Sequence, residues 1–157
     1  MIRPAVAGDA GAIAALWNPY IRDSAVTFNS IQKTPEEVAA LIAARPVFLI
    51  AEADGALAGF ASYDQFRGGI GYARTMEHTI LLAPGLAGRG LGRALMAALE
   101  DHARAAQVHT LWAGVSAENP AGVAFHARIG FERVAVLAQV GWKFGRWIDL
   151  VLMRKGL

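Results

Sequence analysis

Residues 80–95 read ILLAPGLAGRGLGRAL, and this stretch decides the fold. An apolar strand runs into a Pro84, Gly85 turn. Glycines then stand at every second position (Gly88, Gly90, Gly92), and a helix follows with Leu91, Leu95 and Leu99 at fourfold spacing. Glycine has no Cβ, so the chain can bend sharply here and bring its N–H groups close to a ligand. The free amides of the first helical turn and the positive end of the helix dipole converge on one point, which stabilises an anion such as a pyrophosphate. Spacing excludes two other phosphate loops. The nucleotide P-loop needs Lys and Ser or Thr after its last glycine, where this chain has Arg93 and Ala94. The dinucleotide fingerprint G-x-G-x-x-G fails at Arg93 counted from Gly88, and at Leu95 counted from Gly90.

Upstream, residues 2–6 read as an opening strand, and Asp9 as the N-cap of a helix with Ile13, Leu16, Trp17, Tyr20 and Ile21 on one face. A loop over 24–33 precedes Thr34, Pro35 and Glu37, a capping box with proline at the first helical position, which starts a helix ending near Ala44. Strands are expected over 47–53 and 56–66, joined by the hairpin dipeptide Asp54, Gly55, and then a long strand over 72–83 leading into the glycine stretch. The helix beyond it lasts to about Ala106, and 110–115 is a short buried strand. Asn119 caps a helix with Pro120 at its first position and Gly130 after its end. Strands over 131–140 and 147–154 close the chain.

With 157 residues, 55% hydrophobic and 18% charged, the chain has the length and composition of a single globular domain, 1–157. It has no cysteine, so disulfides, thiolate metal ligands and thiol nucleophiles are all excluded. The four histidines show no metal-ligand spacing, and no metal site is expected. No apolar run approaches a membrane span, no signal pattern opens the chain, and no block of like charges suits nucleic acid, so a cytoplasmic protein free of both partners is expected.

Among candidate catalytic residues, Glu77 lies within a strand, where carboxylates are depleted, and shares a face with Thr79 and Leu81. His126 lies on the last helix with a side chain able to exchange a proton near neutral pH. Arg89 and Arg93 flank the glycines and add positive field to the anion site.

The x-G-x-G-x-G opening of a helix, the element order, and Asn119, Gly130 and Phe131 together resemble the GNAT superfamily of N-acetyltransferases. The resemblance spans essentially the whole chain. It narrows to the phosphinothricin and methionine sulfone/sulfoximine branch on residues 25–28, Tyr72, Glu77, His78, residues 126–131 and the closing run VGWKFGRWIDL. It implies an α/β (α+β) fold, a mixed and mostly antiparallel sheet flanked by about four helices. It further implies acetyl-CoA as co-substrate, acetylation of the α-amine of a small amino-acid-like molecule in a ternary complex, and a homodimer. Cofactor contacts would fall on Ile80, Leu81, Leu82, Ala87, Gly88, Arg89, Gly90, Leu91, Gly92, Arg93 and Asn119, with a backbone N–H at Leu82 or its neighbour polarising the thioester. Glu77 would be the base and His126, in the family's tyrosine position, the acid. Phe28, Arg67, Tyr72, Ala73 and Arg74 would bind the substrate. Gly69 stands where phosphinothricin-selective members tend to carry an arginine and Ile31 where they carry a glutamate, which suits a neutral sulfone or sulfoximine better than a phosphinate. Two other readings stay open: acetylation of a polyamine, an aminoglycoside or a protein N-terminus, and a non-catalytic acyl-CoA-binding module, for which Ala87 at the head of the loop is the motive.

Overall fold

The computed structural model describes residues 1–157. Seven strands form one sheet in the order β1-β2-β3-β4-β5-β7-β6: β1 (Ile2–Pro4), β2 (Val47–Ala53), β3 (Ala56–Gln65), β4 (Thr75–Leu82), β5 (Thr110–Ser116), β6 (Glu132–Lys143) and β7 (Arg146–Gly156). All neighbours are antiparallel except β4 and β5. Helices α1 (Ala10–Asp23) and α2 (Pro35–Ala44) cover one face, and α3 (Leu91–Ala105) and α4 (Pro120–Arg128) the other.

Period-two alternation sorts the strands between two cores. Phe48, Ile50, Phe60 and Leu81 pack with Ile13, Trp17, Ile21 and Val38 under α1 and α2. Val47, Leu49, Ala61, Met76 and Leu111 pack with Leu95, Met96 and Leu99 under α3. Of the fourfold leucines of α3, Leu95 and Leu99 are fully buried, each contributing ~1.5–3 kcal/mol by burial, while Leu91 is half-buried. The Thr34 hydroxyl accepts the Glu37 N–H at 3.1 Å, completing the box that starts α2. Asp54 and Gly55 turn β2 into β3 with φ of 54° and 77°, and Phe144 and Gly145 do the same between β6 and β7 with 53° and 72°, the paired positive φ that suits a right-twisted hairpin.

Local chemistry moves three expected boundaries. The fourth strand begins at Thr75, not at residue 72. Ile70–Tyr72 is instead a single 3₁₀ turn after Gly69 (φ 107°), closed by the Gln65 amide donating to the carbonyls of Arg67 and Gly69 at 2.6 Å each. Asp9 holds the N-cap position of α1 as expected, but its side chain makes no capping bond to that helix. Its carboxylate is occupied by the Arg3 guanidinium at 2.9 Å and the Val6 N–H at 2.8 Å, and a 3₁₀ turn, Ala7–Asp9, leads into the helix. The closing hairpin is longer than its apolar residues suggest, because pairing between β6 and β7 continues through the exposed side chains of both strands.

One topological feature positions the site. The parallel pair β4–β5 is held only from Thr75 to Glu77 against Thr110 to Trp112. Beyond that point β4 stays with β3 and β5 stays with β7, so a wedge opens in the middle of the sheet. Phe66 N–H donates to the Thr75 carbonyl and Ala83 N–H to the Ala58 carbonyl, so odd-numbered residues of β4 bond to β3. The main-chain groups of Ile80 and Leu82 therefore face the wedge. Those of Leu81 do not.

Candidate active site

The glycine stretch bends between β4 and α3 as its composition demands. Gly85, Gly88 and Gly90 take φ of 82°, 81° and 80°, the left-handed region closed to most side chains. Gly92 is already helical and serves a different purpose. A Cβ there would stand 3.0 Å from the Phe125 ring, so its bare backbone lets α4 approach α3. The free amides at the start of α3 look into a groove of about 510 Å³ that runs from the wedge to α4. Ile80, Leu81, Leu82, Ala87, Gly88, Gly90, Leu91, Gly92, Arg93 and Asn119 all line it. Arg89 does not; its guanidinium lies 3.7 Å from the exposed Asp54 carboxylate. Sequence reasoning missed Tyr20, whose hydroxyl reaches across from α1 to donate to the Leu82 carbonyl at 2.6 Å. That leaves the N–H groups of Ile80 and Leu82 as the main-chain donors that β4 directs into the wedge.

On the far side of the wedge, beneath α1, lies a second cavity of about 230 Å³, walled by Trp17, Thr27, Phe28, Thr79, Gly114 and Leu150 among others. Val26, Ile80, Leu81, Asn119 and His126 border both spaces, so the cavities meet where the strands part. Glu77 stands at the last paired position. Its half-buried carboxylate lies over Gly114, with Oε2 only 2.9 Å from where a Cβ would be; Gly114 and Leu150 wall the second cavity, while Glu77 itself lines neither space. Burial raises its pKa above the ordinary carboxylate value, and no cation beside it pulls the pKa back.

His126 lies across the sheet from Glu77, because it pairs with His78, the next residue along β4. The Nε2 atoms of His78 and His126 are 3.0 Å apart, and His126 Nδ1 is 2.7 Å from the Gly122 carbonyl. A carbonyl only accepts, so His126 carries its proton on Nδ1 and accepts at Nε2 from His78 Nε2–H, an assignment made from the hydrogen-bond network. His78 Nδ1 is buried without a hydrogen-bond partner. Burial, then the neighbouring His126, push His78 down to about 3, and burial lowers His126 as well, so both rings are neutral at pH 7. The dipeptide Glu77, His78 was visible in the sequence. That the two side chains serve opposite faces follows from the strand period, but the histidine pair depends on where α4 packs.

Of the expected substrate residues, only Phe28 lines the second cavity. Arg67, Tyr72, Ala73 and Arg74 are exposed on the β3–β4 connection, with the Arg67 guanidinium 5.9 Å from the Tyr72 ring centre. Within one chain the fold does not bring them to Phe28.

A groove walled by the glycine turn and the start of a helix, joined through a parted sheet to a smaller cavity with a half-buried carboxylate behind its wall, is the architecture of a group-transfer enzyme. Comparison with known proteins gives the family. Residues 14–131 match the acetyltransferase (GNAT) family. The L-methionine sulfoximine/L-methionine sulfone acetyltransferase of Salmonella typhimurium is 34% identical over 98% of this chain and 92% of its own, and the phosphinothricin N-acetyltransferase of Streptomyces coelicolor 35% identical over 99% and 95%. Among solved structures, a Salmonella typhimurium acetyltransferase in complex with acetyl-CoA superimposes with a TM-score of 0.95 at 34% identity, covering 100% of this chain and 93% of that one. A ribosomal-protein-alanine N-acetyltransferase from Brucella melitensis does so with 0.95 at 37% identity, covering 100% and 99%. The chain belongs to the GNAT family and is an N-acetyltransferase. The α/β fold expected from the sequence stands, with its seven-stranded, mostly antiparallel sheet and four helices. No helix is long and apolar enough to cross a membrane.

Proposed function

We propose that the enzyme transfers an acetyl group from acetyl-CoA to the α-amine of a small, methionine- or glutamate-like amino acid. The observation that carries this reading is the meeting of the two cavities at Ile80 and Leu81, where the strands part, with the Glu77 carboxylate behind the wall that Gly114 and Leu150 give the second cavity. The donor's pyrophosphate sits on the amides between Gly88 and Arg93, and its pantetheine arm pairs with the wedge-facing groups of Ile80 and Leu82 as a substitute strand. One of those two N–H groups polarises the thioester carbonyl. The amine enters through the second cavity. Its nitrogen attacks the carbonyl carbon, the C–N bond forms, the C–S bond breaks, and Glu77 takes the surplus ammonium proton through water. The α-amine of a free amino acid is more basic than a peptide N-terminus and is almost wholly protonated at pH 7, so a base is needed to free the attacking nitrogen. His126, which borders both cavities, would return a proton to the leaving thiolate, though it can do so only by giving up its bond to Gly122. Support for Glu77 is therefore the stronger of the two.

No lysine or arginine lines the second cavity, which favours an uncharged substrate side chain, a sulfone or sulfoximine, over a phosphinate. The test is thiol release from acetyl-CoA with methionine sulfone, methionine sulfoximine, phosphinothricin, a polyamine and an alanine-ended peptide, each at millimolar concentration. Release with the first two and little with phosphinothricin is expected. Release with the peptide alone would move the substrate to a protein N-terminus, the reading that the Brucella melitensis structure's description favours.

The last hairpin also exposes Val134, Val136, Val140, Trp142, Phe144 and Trp147, the two tryptophans packed edge to face at 5.0 Å and each more than half exposed. β6 is moreover an unpaired sheet edge. We infer that this surface closes a homodimer. Light scattering should give twice the chain mass; a monomer at micromolar concentration would remove the inference.

A further inference from the structure

The segment between α1 and α2 supplies Val26, Thr27 and Phe28, three successive walls of the second cavity, yet it belongs to no helix or strand. Its far end is stapled: the Asn18 amide donates to the Lys33 carbonyl at 2.9 Å and accepts the Lys33 N–H at 2.8 Å. Nearer Phe28 the bonds are short-range turns, with Ser24 Oγ donating to the Tyr20 carbonyl and accepting from the Val26 N–H. The long-range tether there is Lys143, which comes from the opposite end of the chain. Its ammonium, 2% exposed, donates to the carbonyls of Ser24 at 2.6 Å and Thr27 at 2.7 Å, bracketing the turn ahead of Phe28. No carboxylate forms a salt bridge with it, and the Phe144 ring lies 5.2 Å away. Burial lowers its pKa below the ordinary lysine value.

A buried ammonium without a counter-ion is costly. It persists here because two main-chain carbonyls that would otherwise lack donors accept charge-assisted hydrogen bonds. Two residues earlier on β6, Gly141 leaves the space that the Phe28 ring fills: a Cβ there would fall 2.4–2.7 Å from three ring carbons. Gly141 and Lys143 thus seat the ring and hold the backbone that carries it.

We infer that Lys143 and Gly141 are positioning residues that set amine specificity by fixing Phe28 in the second cavity. This rests on the reading of that cavity as the amine site. The donor groove is built from β4, α3 and α4, and of the tethered segment it meets only Val26. Disturbing the segment should therefore separate the two substrates kinetically.

The test uses two variants that reach Phe28 by different routes. Lys143→Met keeps the length of the side chain and removes the donors; Gly141→Ala leaves Lys143 intact and displaces the ring. Each is expected to raise the KM for the amine at least about tenfold, since Phe28 is displaced from the cavity wall in both, with the KM for acetyl-CoA within about twofold of wild type. Lys143→Met should also speed backbone hydrogen exchange across residues 24–29. Faster exchange with an unchanged amine KM would make Lys143 merely structural and overturn the inference. So would a parallel rise in both KM values. A wild-type enzyme silent on every amine would instead overturn the assignment of the cavity, while exchange in the segment would still report whether Lys143 holds it.

Discussion

Replacing Glu77 by Gln is expected to lower turnover by at least about tenfold, within reach of the ~10²–10⁴ that general acid–base catalysis typically supplies. The affinity for acetyl-CoA should stay as it was, because Glu77 does not line the donor groove. Glutamine keeps the size of the side chain and its place over Gly114, so the change removes proton affinity and little else. The pH profile gives the sharper reading. In the proposed mechanism Glu77 works as the carboxylate, so activity should be lost as pH falls through its pKa. Because burial raises that pKa, the acid limb should sit above the ordinary carboxylate range. Glu77→Gln should abolish this limb and leave the rise toward alkaline pH, where the amine itself loses its proton. His126→Ala should cost less, since both nitrogens of that ring are already engaged. Unchanged turnover in Glu77→Gln would remove the residue from the mechanism and leave water as the base.

What the sequence made legible was local. The glycine spacing of residues 88–92, the Thr34–Glu37 box, the Asp54, Gly55 turn and the Asn119, Pro120 start each act within a few residues, and all four appear where they were read. What escaped depends on which partner a side chain finds, sometimes only two to six residues away and sometimes across the chain. The late start of β4 at Thr75 comes from the Gln65 side chain closing the preceding loop. Asp9 stands at the N-cap of α1 but gives its carboxylate to Arg3 and the Val6 N–H, and Arg89 lies outside the groove, 3.7 Å from Asp54. The wedge itself has no local signature, since it forms where β4 and β5 each keep one partner and lose the other. Lys143 and Gly141 lay inside a run already singled out, VGWKFGRWIDL, but nothing in that run says that its lysine is buried against carbonyls more than a hundred residues earlier. The exposed positions of Arg67, Tyr72, Ala73 and Arg74 fit this pattern too. If they bind the amine, they do so across the inferred dimer, a contact that one chain's sequence does not specify.

The second large effect is expected at Gly90. This residue is the N-cap of α3, with φ 80° and ψ 0°, and a Cβ there would meet nothing within 4 Å. A substitution is thus opposed by the backbone alone, and a β-branched residue is opposed most, since the left-handed region is a genuine outlier for it. Gly90→Val should therefore leave both cores intact while forcing the turn into another path. The amides of residues 91–93 would then no longer converge on one point. Each charge-assisted hydrogen bond is worth about 1.5–3 kcal/mol, so losing two corresponds to a rise in the Kd for acetyl-CoA of roughly a hundredfold or more. Calorimetric titration measures this directly. Gly92→Ala is the informative companion, because helical backbone accepts alanine and only the Phe125 ring must yield, so its effect should be far smaller. Equal losses would mean that crowding of α4 governs donor binding. Undiminished affinity in Gly90→Val would mean that the donor's pyrophosphate lies elsewhere. The predicted order, Gly90→Val far above Gly92→Ala, arises only if the first glycines of the motif serve backbone direction and the last serves helix packing.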